Sequence, residues 1–356
     1  MKLTFIGDLV YPAKNCIDID KIKEIFKNTT TIANLEGQII SDEFKIVDEH
    51  KYNLFSDQSV LDILNAASVK YVSFANNHIQ DFRNEIGKTI NLLNNSGIEH
   101  FGTKDKPSIS IDNKIIIYGV VANVTGGIFS KNEVVNRFNP QALLKLIKAD
   151  RKKNPASKII IYVHWGYELA YYPQPADREW ANLAIDCGAN YIIGHHPHVV
   201  QGAEKYNNGY IFYSIGNFLM PQVEYLGRIL NYFDERVQIQ LCIEINFSDN
   251  GDDELFFHIL HYNKTDSSIN LIKSVHSIED IFFQNLTPFV GLSATGYKQW
   301  FKRENYSKKL FNTKPTYNSY LFLNGINKTI KDTYLLLFWK IRKFLIKSNI
   351  HKPYNW

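Results

Sequence analysis

Along the first two thirds of the chain, short apolar runs alternate with stretches of helical period. This is the sequence form of βαβ units and of a largely parallel or mixed sheet. Residues 3–6, 31–35, 71–74, 115–121, 159–163 and 191–193 read as strands, the runs 115–121 and 159–163 being rich in β-branched residues. Residues 22–26, 61–67, 140–149 and 177–187 carry helical patterns, and Ile86, Ile90 and Leu93 mark a further amphipathic helix. Gly188 stands where it would end the 177–187 helix as a C-terminal cap. Polar residues of ligand type follow the strands, which is where open α/β sheets bind their ligands.

Beyond Phe218 the pattern changes. Residues 237–247 and 255–262 each alternate apolar with polar, and the turn-rich run Ser248-Asp249-Asn250-Gly251-Asp252-Asp253 between them predicts a β-hairpin. Residues 265–325 carry few strong signals. Residues 334–346 form an aromatic and aliphatic stretch laced with Lys340, Arg342 and Lys343, with Leu336, Trp339, Lys343 and Ile346 at near-helical spacing. Such a basic amphipathic helix suits either an anionic lipid surface or packing against the main body.

A chain of 356 residues, 45% hydrophobic and 14% aromatic, has the material for a large α/β domain with an appendage, or for two domains. A net charge of +4 lacks the dense Lys/Arg excess of a nucleic-acid binder, so no nucleic-acid partner is expected. Cys16, Cys187 and Cys242 lie far apart and form no CxxC, which suggests neither a disulfide framework nor a thiolate zinc site and fits a reducing compartment. The start Met1-Lys2-Leu3-Thr4-Phe5-Ile6 reaches a Gly-Asp turn without the apolar core of a secretory signal, and no apolar run approaches the roughly 20 residues of a membrane span. A cytoplasmic location, with peripheral contact at the inner face of the membrane as an option, is the expectation.

The candidate chemistry sits at the strand ends. Gly7-Asp8 follows the first strand, Asn34-Leu35-Glu36 the second, Asn76-Asn77-His78 the third and His164-Trp165-Gly166 the 159–163 run. Gly194-His195-His196-Pro197-His198 follows 191–193. Two carboxylates, an amide and several imidazoles are mixed oxygen and nitrogen donors in the number needed for two divalent ions, and they suit Mn, Fe, Zn or Mg better than a thiolate-selected metal. Each residue also has an ordinary structural reading. Asp8 can cap a turn, Glu36 and Asn77 can be plain loop residues, His164 a satisfied core histidine, and the histidine-rich loop a polar turn bonded to backbone or water.

Over about the first 220 residues the chain resembles the capsule-synthesis, poly-γ-glutamate family of CapA type, a branch of the calcineurin-like metallophosphoesterase superfamily. The resemblance rests on Gly7-Asp8, Asn34-Leu35-Glu36, Ala75-Asn76-Asn77-His78, His164-Trp165-Gly166-Tyr167-Glu168, Gly194-His195-His196-Pro197-His198-Val199-Val200-Gln201 and Ser214-Ile215-Gly216-Asn217-Phe218. It implies an α/β, metallophosphatase-like sandwich of two mixed sheets flanked by helices, with residues 1–265 as the main domain and 266–356 as a small C-terminal extension. It further implies that Asp8 and His198 hold one metal, that Asn77, His164 and His196 hold the other, and that Glu36 takes the bridging place. His78 then corresponds to the histidine that stabilises or protonates a leaving oxygen. Two ions a few Å apart would polarise a phosphoryl group and lower the pKa of a bridging water.

Two departures accompany the resemblance. Val10 stands where the superfamily carries a histidine, two residues after the first aspartate, and Glu36 is one methylene longer than the usual bridging aspartate. Either the first site is weak and exchangeable, or one metal is used. Asn76, Asp81, Glu168, His195 and Asn217 are candidates to orient ligands or meet substrate, and Glu204 is a further polar position without a fixed role. Tyr171, Tyr172, Pro173 and Gln174 could line a cleft or pack as loop aromatics. The function implied is a metal-dependent, phosphoesterase-like hydrolase in capsule, surface-polysaccharide or poly-γ-glutamate biosynthesis, acting on a small-molecule or polymer-precursor substrate. A γ-glutamyl amide hydrolase or transferase and a non-catalytic assembly subunit are the alternatives. A surface-polymer role without a secretion signal requires a cytoplasmic precursor or a step at the inner leaflet.

Overall fold

Two β-sheets face each other across an apolar interior, and helices cover both outer faces. The computed structural model describes residues 1–11, 17–40, 54–82, 86–122, 134–221, 223–225, 228–230, 235–248, 252–307, 337 and 341. The first sheet has eight strands, in the order β18 (Ser268–Val275), β17 (Glu254–Asn263), β16 (Ile239–Asn246), β1 (Lys2–Leu9), β2 (Thr30–Leu35), β5 (Val69–Ser73) and β6 (Glu99–Phe101), with β13 (Asn217–Leu219) beside the end of β1. Strands β1, β2, β5 and β6 run parallel, while β16, β17 and β18 form an antiparallel meander. The second sheet has six strands, in the order β11 (Val200–Tyr206), β12 (Gly209–Ile215), β10 (Tyr191–His195), β9 (Lys158–His164), β8 (Ile115–Val121) and β7 (Ser108–Ile111). Its four central strands are parallel and its two edges antiparallel. Two short ribbons pair β3 (Gln38–Ile39) with β4 (Phe55–Ser56) and β14 (Val223–Tyr225) with β15 (Arg228–Leu230).

The two-residue period of each strand sorts its side chains between layers. On β9, Ile160 and Tyr162 enter the core between the sheets, whereas Ile159, Ile161 and Val163 face the helix layer. On β2, Ile32 points inward and Ala33 and Leu35 outward. The outer face of the first sheet is covered by α1 (Val60–Ala66) and α2 (Ile86–Asn95) through Val60, Leu64 and Leu93. The outer face of the second is covered by α3 (Pro140–Lys153) and α4 (Pro175–Asp186) through Ile147, Trp180 and Ala184. The result is the α/β sandwich of two mixed sheets flanked by helices that the family resemblance implies.

Differences lie in details. Residues 20–26 form a 3-10 helix, not an α-helix, with Ile22, Ile25 and Phe26 buried. The sheet runs past residue 265, because β18 is hydrogen-bonded to β17. Beyond α5 (Ile281–Leu286), α6 (Ala294–Ser307) packs Tyr297 and Phe301 into the outer core of the second sheet. Arg178 of α4 fixes this segment further. Its guanidinium makes a bidentate pair with buried Glu204, donates to the Leu292 carbonyl at 2.9 Å, and lies 4.9 Å from the Tyr297 ring centre. Among the described residues no helix is long and apolar enough to cross a membrane. Cys16, residues 249–251 of the predicted turn, and the basic stretch 334–346 apart from 337 and 341 lie outside the described residues.

Candidate metal centre

The same period that fills the core carries polar side chains to one end of it. After Ile160 and Tyr162, the next inward position on β9 is His164. After Tyr191 and Ile193 on β10 it is His195, and after Ile32 beside β2 come Asn34 and Glu36. Strand β1 breaks this rule. Leu3 and Phe5 face inward, but the register with β2 shifts between Phe5 and Asp8, so that Asp8 turns toward the second sheet. Such a bulge re-aims a side chain at the cost of one irregular pair. Gly7 makes it possible, since a Cβ there would lie 2.0 Å from the Gly216 carbonyl oxygen. Across the sheets, Asp8 is level with Asn34 and Asn217, and His164 with His195. The chain then leaves β10 through His196 at φ +94° and His198 at φ +60°. Non-glycine residues held there cost about 1–3 kcal/mol each and cluster at functional sites.

The distances describe one connected centre. Asp8 Oδ1 accepts from Asn34 Nδ2 at 2.6 Å, and Asp8 Oδ2 accepts from the His196 backbone N–H at 3.0 Å. His195 Nδ1 lies 3.3 Å from Asp8 Oδ1. His198 Nδ1 lies 2.9 Å from Asn217 Oδ1, 3.5 Å from Asp8 Oδ2 and 3.8 Å from Glu36 Oε2. His164 Nε2 lies 2.7 Å from Asn77 Oδ1 and 3.5 Å from Glu36 Oε1. Asp8, Glu36 and His198 form one group whose donor atoms lie within 4.8 Å of one another, and Glu36, His164 and His196 form a second. Glu36 belongs to both.

The electrostatics of this cluster fit a cation. Both Glu36 carboxylate oxygens and His196 Nδ1 are buried without a hydrogen-bond partner among the described residues, an arrangement that costs free energy unless something positive or protic meets them. Burial, followed by the charges of Asp8, Glu168 and Asp81, pushes the Glu36 carboxyl well above its usual range. Burial alone would raise Asp8 too, yet the contact and charge of His195, joined by the charge of His198, hold it well below the usual carboxylate range. Burial pushes His164 well down and His196 down to about 4, so both imidazoles are neutral, as ligands must be. Mixed carboxylate and imidazole donors in two overlapping groups suit hard-to-borderline divalent ions, and the residues fit such a group.

The remaining expected residues take distinct places. His78 Nδ1 lies 2.6 Å from Asp81 Oδ2, which also accepts from the Leu54 backbone N–H at 3.0 Å. Asn76 donates to the Leu35 carbonyl and to Asn34 Oδ1, and its own Oδ1 receives the N–H groups of His78 and Ile79, which shapes the loop that carries Asn77 and His78. His195 packs against Tyr162, with ring centres 4.1 Å apart and planes tilted by 42°, and is in neither donor group. Glu168 is exposed and forms a third group with His196 and His198. Val10 lies in an apolar cluster with Leu54 and Met220 and adds no donor. Glu204 is elsewhere, paired with Arg178, and Tyr172 packs against Phe289 and Trp300. Asn34 is the residue to which sequence reasoning gave no role. It bonds Asp8, lies 3.3 Å from His164 Nδ1 and receives Asn76. Its signal was the alternation Ile32, Asn34, Glu36 on one strand face. A separate open groove lined by Lys205, Tyr210, Asp253, His276 and Glu279 contains none of these donors.

Two mixed sheets packed face to face, flanked by helices and carrying a buried carboxylate and histidine cluster at their strand ends, define an α/β sandwich with a candidate metal centre. A family model described as "Bacterial capsule synthesis protein PGA_cap" matches residues 18–222, and the chain belongs to that family. Asp8 precedes the matched residues. The capsule biosynthesis protein CapA of Bacillus anthracis is 30% identical over 217 residues, which cover 56% of this chain and 53% of the relative. The PGA biosynthesis protein CapA of Bacillus subtilis (strain 168) is 26% identical over 216 residues, 56% of each chain. The chain thus spans about half the length of the curated relatives it matches. A solved structure of the sulfate thiohydrolase SoxB from Termus thermophilus, in complex with glycerol, aligns at 9% identity and a TM-score of 0.33 over 71% of this chain and 39% of that one, too low to carry an argument.

Proposed function

We propose that the protein is a metal-dependent hydrolase of the phosphoesterase type that acts in capsule or poly-γ-glutamate biosynthesis. The observation that carries this reading is Glu36, fully buried, with no hydrogen-bond partner for either oxygen among the described residues, at the corner shared by two donor groups. Asp8, Glu36 and His198 would hold one ion, and Glu36, His164 and His196, with Asn77 beside His164, the other. Bound there, divalent ions would supply Lewis-acid polarisation of a phosphoryl oxygen and a nucleophile at neutral pH. Asn34 and the His196 N–H fix the Asp8 carboxylate in its orientation. His78, with Nδ1 held by Asp81, keeps its other ring nitrogen for giving a proton to a leaving oxygen. The polymer assignment comes from family membership and from the relatives' names. The reading includes a cytoplasmic polymer-precursor substrate, with contact to membrane or capsule machinery through the C-terminal stretch.

Metal analysis of the purified protein, joined to hydrolysis of a chromogenic phosphodiester and of a γ-glutamyl peptide with added Mn2+, tests it. The expected result is bound metal and phosphodiester turnover that falls about 10²–10⁴-fold in His78→Ala with metal content retained. Turnover of the γ-glutamyl peptide alone would move the reaction to an amide bond. If His78→Ala leaves polymer production intact while deletion of residues 330–356 abolishes it, the protein is an assembly subunit and the enzyme reading falls.

A further inference from the structure

We infer that Glu168 is an exchangeable ligand on the solvent side of the metal centre, occupying the position that an anionic group of the substrate takes over on binding. The inference rests on the metal-centre reading above.

Three donor groups overlap among the described residues, and of their members Glu168 alone is exposed. Its carboxylate lies within 4.8 Å of ring nitrogens of both His196 and His198. Those two histidines belong one to each of the buried groups, so Glu168 reaches both halves of the centre from outside. His196 Nδ1 is buried and has no hydrogen-bond partner among the described residues. The Glu168 charge also acts on Glu36 and on His196.

The backbone that carries Glu168 is held firmly. The Leu169 N–H donates to the Pro197 carbonyl at 2.9 Å, which ties the turn to the segment between the two histidines. Arg236 Nη2 donates to the Leu169 carbonyl at 3.0 Å, and its guanidinium stacks 3.6 Å from the Tyr171 ring centre. Gln201 Nε2 donates to the Ala170 carbonyl at 2.8 Å. Leu169 sits at φ +57°, a left-handed conformation that the turn imposes. A fixed backbone with a flexible, solvated glutamate stem places a carboxylate at the mouth and lets it swing away. Catalytic metal sites keep one position open for water or substrate. A carboxylate resting there would compete with a phosphoryl or carboxylate group for the same ion.

The test uses the full chain and the variants Glu168→Gln and Glu168→Asp. The aspartate is one methylene shorter on the same pinned backbone and should fall short. Mn2+ binding is followed by electron paramagnetic resonance, and inorganic phosphate binding by calorimetry at Mn2+ concentrations that saturate each protein. Expected are a Mn2+ dissociation constant at least about tenfold higher in both variants and tighter phosphate binding by Glu168→Gln than by the wild type, with unfolding in chelator unchanged. Wild-type Mn2+ affinity in both variants, or phosphate binding no tighter in Glu168→Gln, overturns the inference alone. Absence of Mn2+ binding by the wild type overturns the metal-centre reading and this inference with it.

Discussion

Replacing Glu36 with glutamine separates the cost of the metal-free centre from the gain on loading it. The side chain is fully buried, and neither carboxylate oxygen has a hydrogen-bond partner among the described residues. Asp8 and His198 crowd one oxygen while His164 faces the other. A buried polar group left unsatisfied costs about 1–3 kcal/mol, and more when charged. Glutamine keeps the shape and cannot ionise among the neighbouring carboxylates, so Glu36→Gln in chelator should be more stable than the wild type by ~1–3 kcal/mol, a rise of roughly 2–6 °C in Tm. With metal present the order reverses. A ligand at one hundred times its Kd stabilises the folded state by about 2.7 kcal/mol. Glu36 belongs to both donor groups, so its loss should remove most of that gain at either site. Thermal unfolding of both proteins, in chelator and in excess Mn2+ or Zn2+, reads the two effects separately. A Glu36→Gln protein less stable than wild type in chelator, or equally stabilised by metal, would refute the reasoning.

Two further predictions concern the scaffold. Arg178→Met strands the Glu204 carboxylate in a buried site and should cost about 3–5 kcal/mol, measured as a fall in the urea midpoint, and the double variant with Glu204→Gln should recover part of it. Burial depresses His100 and His258 below the ordinary histidine range, helped at His100 by the Lys106 charge and opposed at His258 by that of Glu244. The unfolded chain therefore takes up protons that the folded chain refuses once the pH falls below about 6.5, so stability should drop from there toward the folded values. Urea midpoints at pH 7 and pH 5 should show a smaller drop in His258→Gln than in the wild type, and an equal drop would count against the assignment.

The strands that carry the centre were legible because burial on both faces demands unbroken apolar runs, and 115–121, 159–163 and 191–193 supply them. The polar residue at each end then stands out against its own run, which is why Asp8, Glu36, His164 and the loop 195–198 could be named. What the pattern could not show is phase. Counting by twos from Leu3 and Phe5 reaches Gly7, and only the register shift beside Gly216 brings Asp8 inward. The left-handed His196 and His198 are likewise set by the tertiary fold. The role of Asn34 has no local signature because its partners, Asp8, His164 and Asn76, come from three other segments. Past residue 265, β18 exposes much of its length and α6 anchors itself mainly by Tyr297 and Phe301, so neither gave a clear period. The sheet order, in which β1 pairs with β2, β13 and β16, depends on contacts across the whole chain and has no local signature.

The composition of the donor groups has a mechanical consequence. Asp8 and Glu36 stand at the ends of first-sheet strands, whereas His164, His196 and His198 come from the second sheet and the turn that leaves it. Each buried group therefore draws on both sheets, and an ion in either would tie the sheets together at the open end of their shared core. At the other levels of the sandwich that joint is made by apolar contact between residues such as Phe5, Ile32, Ile160 and Ile193. At the level of the centre it consists of side chains that repel or go unpaired without a cation. Metal loading should accordingly raise the stability of the whole sandwich, since separating the sheets breaks the coordination while bending a single loop breaks only part of it. This is why the reversal expected for Glu36→Gln should appear in the global unfolding transition.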